Sequence, residues 1–417
     1  MNVWRKIATN NTLDKISFIL IATVLVTLPL GFAMNSISII LLFLFGIYKS
    51  IKEKRKLTLP KDLIFFLLCG VYILSIFSLL WTDNFSNTTN GLTSFISYLI
   101  LPISFLLHAN LQKNKLKVIE VFAFSLTIYA LYCVLMGFLN YIKTADVSFL
   151  FYHKLSNNLY ELNAIYLSVF VSFAFGYFLS KKNKSKLHYA SLFILAVFMI
   201  LLSSKIIVFI TFLLTLFFLV KQFKFQSFFN KKTLFLGLVF SLVIVLASKN
   251  IKERIKIEYD KTSISEALTK KDFGHVYLWT GTSLRAFQLR VFSEIISKKK
   301  TFFLGLGLNN SQPTLEDKYK EYNLYEGFFS YNFHNQYIQI FAELGILGLL
   351  FLVVLFVIPF YEAIKSNDFL LLYFITIIAT VCLTESFLWR QRGMVFFITI
   401  LLLLYIPKTQ KIRSHFE

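Results

Sequence analysis

YNFHNQYIQIFAELGILGLLFLVVLFVIPFY, residues 331–361, opens on a polar cluster and closes on a run built for a lipid bilayer. From Tyr337 to Tyr361 the stretch holds one charged residue, Glu343, in 25 positions. A helix needs roughly 20 apolar residues to cross the hydrocarbon, so this one is long enough. The rest of the chain excludes the alternative of a buried helix in a soluble domain. Of 417 residues, 57% are hydrophobic, 18% aromatic and only 16% charged, against roughly 25% charged in soluble proteins. Forty-nine phenylalanines cannot be hidden inside a water-soluble globule of this length. Six prolines and 15 glycines rule out a collagen-like or loop-rich chain. The formal charge of +21 would suggest nucleic acid in a soluble protein. Here the basic residues lie in short clusters between apolar runs, as topological charge does, and no nucleic-acid partner is expected. Cys69, Cys133 and Cys382 each sit inside an apolar run, so neither a disulfide framework nor a metal site follows from them.

Apolar runs recur near 16–34, 36–50, 63–81, 92–108, 118–141, 162–179, 189–203, 206–220, 233–247, 337–361, 369–388 and 393–407. They predict an all-α polytopic membrane protein with about twelve transmembrane helices. The runs at 189–203, 206–220 and 233–247 are about fifteen residues each and barely cross the hydrocarbon at 1.5 Å per residue. The first run has no small-residue cleavage site and leads straight into another, so it reads as a span and not a leader. The termini and even-numbered connections carry 24 Lys and Arg, the odd-numbered short connections five, and one long loop the other fourteen. Short loops decide orientation, which places both termini in the cytoplasm. The chain then divides into a membrane bundle over 1–247, an external loop over 248–336 and a second bundle over 337–417. The loop is expected to be partly helical. In 284–296, Leu284, Phe287, Val291 and Ile295 follow helical spacing beside Leu289, Phe292 and Ile296. With Arg285, Arg290 and Lys298 at its polar edge, that helix is expected to lie along the membrane surface.

The strongest chemical signal stands where the loop re-enters the membrane. His334 shares a helical face with Tyr337, Ile338 and Phe341 by spacing. At a helix start, unpaired N–H groups and the macrodipole favour anions and a neutral imidazole, the form a general base needs. The alternative is that His334 and Asn335 only cap a helix at the interface. Arg285 and Arg290 lie about 140° apart on a helix, so one can face a site while the other meets lipid phosphate or solvent. Ser203-Ser204-Lys205 breaks an apolar stretch, leaving Lys205 either snorkelling from a hairpin or buried for function. Glu385 with Arg390-Gln391-Arg392 reads as an ion pair that pins the last two spans. No Walker loop, HExxH or Cys/His metal spacing occurs, and Gly305-Leu306-Gly307 is too short for a phosphate loop.

At these residues the chain resembles the O-antigen ligase and polymerase superfamily of bacterial envelope glycosyltransferases. Phe333-His334-Asn335 through Glu343, Gly345 and Gly348 is similar to that family's late His-Asn and Glu-x-Gly-x-x-Gly block. Arg285, Leu289 and Gly305-Leu306-Gly307 stand where the family has Arg, Trp and a Gly-x-Gly turn, with Leu289 departing from Trp. Ser204-Lys205 resembles a Ser-Arg pair, Lys replacing Arg and losing its bidentate fork. Weaker similarity covers Asn163 to Ser168 and Leu383 to Ser386 with Arg390-Gln391. The resemblance implies a GT-C-like fold and an enzyme of the inner membrane that uses no cofactor and no metal. It implies a donor glycan on undecaprenyl diphosphate and a hydroxyl acceptor at the outer, periplasmic face. In a ligase the acceptor is lipid A-core. In a polymerase of O-antigen, capsule or exopolysaccharide it is another carrier-linked repeat. His334 would be the catalytic base, and Arg285, Lys205 and Arg290 would bind the diphosphate. Asn335, Glu343, Gly345, Gly348, Glu385 and Arg390 would support them. A flippase or transporter remains the alternative of another class, although its charges would lie near the midplane of two repeated halves. A non-catalytic scaffold would leave the His-Asn block without a role.

The charge asymmetry yields a test of topology. A membrane-impermeant thiol reagent applied from outside is expected to modify Ser263→Cys and to spare Lys54→Cys. Labelling in the opposite sense would invert the protein and remove the site from the outer face.

Overall fold

The computed structural model describes residues 12–405 apart from 56–59, 61, 109–113, 158–159, 223–255, 257–259 and 262. The span expected at 233–247, the start of the long loop and both termini lie outside the described residues. Every other expected span coincides with a helix or a broken pair. The first bundle holds α1 (Thr12–Val26), α2 (Phe32–Lys52), α3 (Leu63–Phe77), α4 (Phe85–Phe95), α5 (Ser97–Leu107), α6 (Lys115–Thr144), the short α7 (Tyr152–Ser156), α8 (Ala164–Ser180), α9 (Lys186–Leu201) and α10 (Lys205–Gln222). The loop contributes α11 (Ile264–Thr269), α12 (Gly281–Ile296), α13 (Lys299–Leu304) and α14 (Ser311–Glu321). The chain returns through α15 (Gln336–Lys365), α16 (Phe369–Val381) and α17 (Gln391–Leu404). No strand occurs among the described residues.

Among the described residues, five segments are long and apolar enough to cross a membrane: 32–52, 63–80, 85–107, 115–144 and 336–365. The apolar helices α8, α9, α16 and α17 are shorter. An all-round apolar helix belongs inside a bundle, and α8 obeys: every residue from Tyr166 to Leu179 is buried. Its Phe170 ring lies 4.7 Å from Phe396 of α17, and Phe173 packs edge-on against Phe374 of α16. Outward-facing Ile37, Leu44, Ile128, Leu135 and Phe209 are exposed, as side chains turned to lipid would be. The boundary between the first two helices falls at 27–31 and not at 35. Gly31 at φ 80° starts the new helix, and Asn35 inside it donates Nδ2 to the Val24 carbonyl at 2.8 Å. The polar residue that reads as a break is a buried tie.

The loop has its own core. Leu284, Phe287, Val291 and Ile295 of α12 pack with Leu315 and Tyr319 of α14, with Tyr322, and with Phe333. This overturns the expectation of a surface-lying helix, because protein covers the apolar face of α12. Leu289, 51% exposed, is the apolar residue left over.

Loop and bundle interlock through two glycine turns. At Gly345 (φ 66°, ψ −165°) α15 leaves helical geometry and then resumes. The gap receives the 305–307 turn: Leu306 N–H donates to Ala342 O at 2.8 Å and Gly307 N–H to Glu343 O at 3.0 Å. A Cβ on Gly305 would stand 2.4 Å from the Glu343 carbonyl, and one on Gly345 2.2 Å from Phe303 O. Glu343, fully buried, accepts hydrogen bonds from the Ser311 hydroxyl and amide and from Gln339 Nε2. Leu308 N–H donates to Ser78 Oγ at 3.1 Å, carrying the same turn onto the end of α3.

Gly345→Ala combines a steric clash with a left-handed backbone. The clash is an overpacking of about 1–3 kcal/mol, and the backbone costs a further ~1–2 kcal/mol. Gly274 has φ 65° and open space around it, so Gly274→Ala carries the backbone cost alone. Thermal unfolding of the purified variants is expected to show a clearly larger loss for Gly345→Ala. Equal losses would mean that the interlock contributes nothing.

Candidate active site

After α16 the chain runs through 382–390 without regular helix, apart from one 3-10 turn at Phe387–Trp389. Backbone groups freed by such a break cannot be left dry at the edge of an apolar bundle. Side chains repair them. Asn335 caps α15, its Oδ1 accepting from the Tyr337 and Ile338 amides, while its Nδ2 donates to Leu383 O at 3.1 Å. Gln336 accepts from Leu388 N–H at 2.8 Å and donates its own amide to Cys382 O at 2.8 Å. Arg285 spans the gap from the loop, Nη2 to Thr384 O and Nη1 to Gly281 O, both at 3.0 Å. The Tyr166 hydroxyl donates to Ser386 O at 3.3 Å.

Beside this repaired break lies a cavity of about 580 Å³, within the usual size range of ligand sites. Of the residues singled out from sequence, His334, Arg285, Glu385 and Arg390 line it together. Because Asn335 is the cap, His334 stands just before the helix and not on its face. Its φ of 45° is uncommon for a residue with a side chain, and its amide donates to Asn332 Oδ1 at 2.9 Å. The ring packs edge-on to Tyr331, and Nδ1 lies 3.4 Å from Glu385 Oε2. The Glu385 side chain is 8% exposed and that of His334 27%. A carboxylate at Nδ1 favours the tautomer with its proton there, leaving Nε2 free to accept.

The ion pair expected between Glu385 and the following arginines is absent among the described residues, since Glu385 faces His334. Arg392 instead donates Nη1 to Glu161 O at 2.7 Å and lies over the Phe32 ring at 4.3 Å. It lines the cavity with Phe32, Glu161, Asn163 and Tyr166, none of which was assigned a role from sequence. The Nε groups of both Arg285 and Arg392 are buried without a hydrogen-bond partner. Arg392 stands out in the sequence as a charge beside an apolar run, and it was expected in that ion pair and not in this cavity. Glu161 carries no such signal. Three guanidinium groups, two carboxylates and two imidazoles, those of His334 and His153, thus face one space, an arrangement suited to an anion and to proton transfer.

The remaining candidates lie elsewhere. Lys205 is exposed at the start of α10 and is not part of the cavity lining. Glu343, Gly345 and Gly348 belong to the interlock and its helix. Arg290 turns into the loop, donating to Lys270 O at 2.7 Å and to the Tyr322 hydroxyl at 3.0 Å, with Glu294 at 3.4 Å. Burial works to raise the Glu294 carboxyl pKa. Hydrogen bonds from Lys318 and Tyr322, with the charges of Lys318 and Arg290, outweigh burial and hold it below the usual range. No group of His, Cys, Asp and Glu able to hold a metal occurs among the described residues.

These features define a helical membrane protein with a cationic, histidine-bearing cavity beside a folded loop. Residues 188–353 match the family model described as O-antigen ligase. The matched segment contains Lys205, Arg285, the 305–307 turn and the His334 to Gly348 block, and it ends before Glu385. This match supports the O-antigen ligase and polymerase superfamily for this chain. No curated protein matches it.

The Glu294 cluster makes the loop acid-sensitive. A carboxyl held down in the fold stabilises it above the unfolded value, about 4.3. That contribution is lost as pH falls through the lower folded value. Protection of the amides of α12 and α14 against hydrogen exchange, taken relative to the intrinsic rate at each pH, is expected to fall more on acidification from about pH 6 to about pH 3 in the wild type than in Glu294→Gln. An identical pH response in both would remove Glu294 as the cause.

Proposed function

We propose that the chain is a glycosyltransferase of O-antigen ligase type that moves a glycan from undecaprenyl diphosphate to a hydroxyl of lipid A-core. In this reading about twelve spans cross the inner membrane, both termini are cytoplasmic and the cavity faces the periplasm. The observation that carries it is the His334–Glu385 pair in a cavity shared with Arg285, Arg390 and Arg392. The acceptor oxygen attacks the anomeric carbon of the donor sugar while the bond from that carbon to the diphosphate oxygen breaks. The hydroxyl proton passes to His334 Nε2, and Glu385 stabilises the imidazolium that forms. The electron pair leaves with the lipid diphosphate, whose charge the guanidinium groups meet without a metal. Arg285 is pre-oriented by the Thr384 and Gly281 carbonyls, which keeps the cost of ordering it low. Both substrates are lipid-anchored, so the bilayer supplies concentration and the cavity supplies orientation.

Polymerisation of carrier-linked repeats uses the same chemistry with a different acceptor. Glycan gels of a deletion strain separate the two. Polymer made but left unattached supports the ligase, and loss of polymer beyond single repeats supports the polymerase.

His334→Ala is expected to abolish transfer at normal membrane yield, since a positioned base is worth about 10²–10⁴-fold. Asparagine fills the site without supplying a base, so full activity in His334→Asn at normal yield would sink the proposed role. Arg285→Lys is expected to harm transfer far more than Arg290→Lys, because a point charge cannot hold two carbonyls and a diphosphate at once. Equal tolerance of both would leave Arg285 a structural strut.

A further inference from the structure

A second cavity, of about 400 Å³, opens at the other end of α12. Its walls are the link from α3 to α4, carrying Trp81 and Asp83, the end of α12 with Lys298, and α13 with Lys300 and Thr301. Arg285 in the first cavity and Lys298 in the second are separated by 13 residues, about 20 Å along a helix. Lys318 in the same lining is neutralised by Glu294 and Glu321 at 2.9 and 2.8 Å. Lys298, Lys300 and Asp83 have no ion pair among the described residues, and Trp81 Nε1 is buried without a hydrogen-bond partner. Leu80, Phe85 and Phe303, next in the chain to these walls, are 80%, 64% and 52% exposed.

We propose that this second cavity binds the phosphate-bearing saccharide headgroup of the lipid-linked acceptor. The inference rests on the transfer reading above and adds a separate docking site for the second substrate. Two unpaired ammonium groups suit a phosphate. The Asp83 carboxylate accepts from sugar hydroxyls, and the half-buried Trp81 indole offers an apolar ring face for a sugar to stack on. The exposed Leu80, Phe85 and Phe303 give the acceptor's lipid an apolar surface beside the headgroup. A bulk phospholipid shares the phosphate and the tail, so competition is what separates it from a saccharide headgroup.

The test is equilibrium binding of farnesyl-diphosphate-linked N-acetylglucosamine, for the donor, and of diphosphoryl lipid A, for the acceptor, to the full chain in phosphatidylcholine nanodiscs, with and without phosphatidylglycerol. The wild type is expected to show two classes of site. The double variant Lys298→Ala with Lys300→Ala should weaken one class by about tenfold or more and spare the other. Arg285→Ala should do the reverse, and Trp81→Phe should weaken the lysine-dependent class. These lysines are exposed, so the fold should survive, and an unchanged thermal transition verifies it. A single class that is lost in Arg285→Ala and intact in the lysine variant would overturn the inference while leaving the transfer reading. Loss of the lysine-dependent class on adding phosphatidylglycerol would make it a bulk-lipid site and overturn the inference too. Indifference of both classes to Arg285→Ala would strike the transfer reading itself.

Discussion

Unpaired peptide groups are not tolerated at the edge of an apolar bundle, and the break at 382–388 exposes a run of them. Everything chemical in this protein is arranged around their repair. Asn335, Gln336, Arg285 and Tyr166 come from three separate parts of the chain to bond Leu383, Cys382, Leu388, Thr384 and Ser386. The same repair carries Glu385 into contact with His334. A continuous helix through this region would satisfy its own backbone and would need none of these partners. It would also leave no reason for a polar pocket at this depth. Structural necessity and site construction are therefore one arrangement.

The second constraint is steric. The 305–307 turn fits into α15 only because two glycines remove the atoms that would collide. Glu343 then secures the fit through Ser311 and Gln339. Neither glycine nor the glutamate needs to touch a substrate to be indispensable, because they determine where His334 stands relative to the bundle.

Much of this was legible in residues 331–361. The apolar length fixes a helix, and the polar entry points to a site. The resemblance brought Arg285, His334, Glu385 and Arg390 to attention before their shared cavity was visible. Four aspects were hidden for physical reasons. The helical spacing of 284–296 states that one face is buried but not against what, and the loop's own aromatic core covers it in place of lipid. Charge at 385–392 suggests pairing but not partners, because Arg392 is engaged by a carbonyl, which no residue type announces. Glu161 and Phe32 reach the cavity through packing alone. The two glycine motifs were readable as motifs, yet their mutual contact joins positions that no local pattern links.

The turn at Gly345 has a mechanical consequence. Ahead of it, Ala342 belongs to the loop core, while Ile340 and Leu344 belong to the bundle core. The short segment 336–344 is thus a shared shaft, seated in two bearings, with the histidine mounted at its end. The long rod from 346 to 365 is joined to it through a wedged corner, filled by the 305–307 turn, and not by continuous helix. Because the corner is filled, the angle between rod and shaft is fixed, and whatever seats the rod against α3 and α16 also sets the aim of the imidazole.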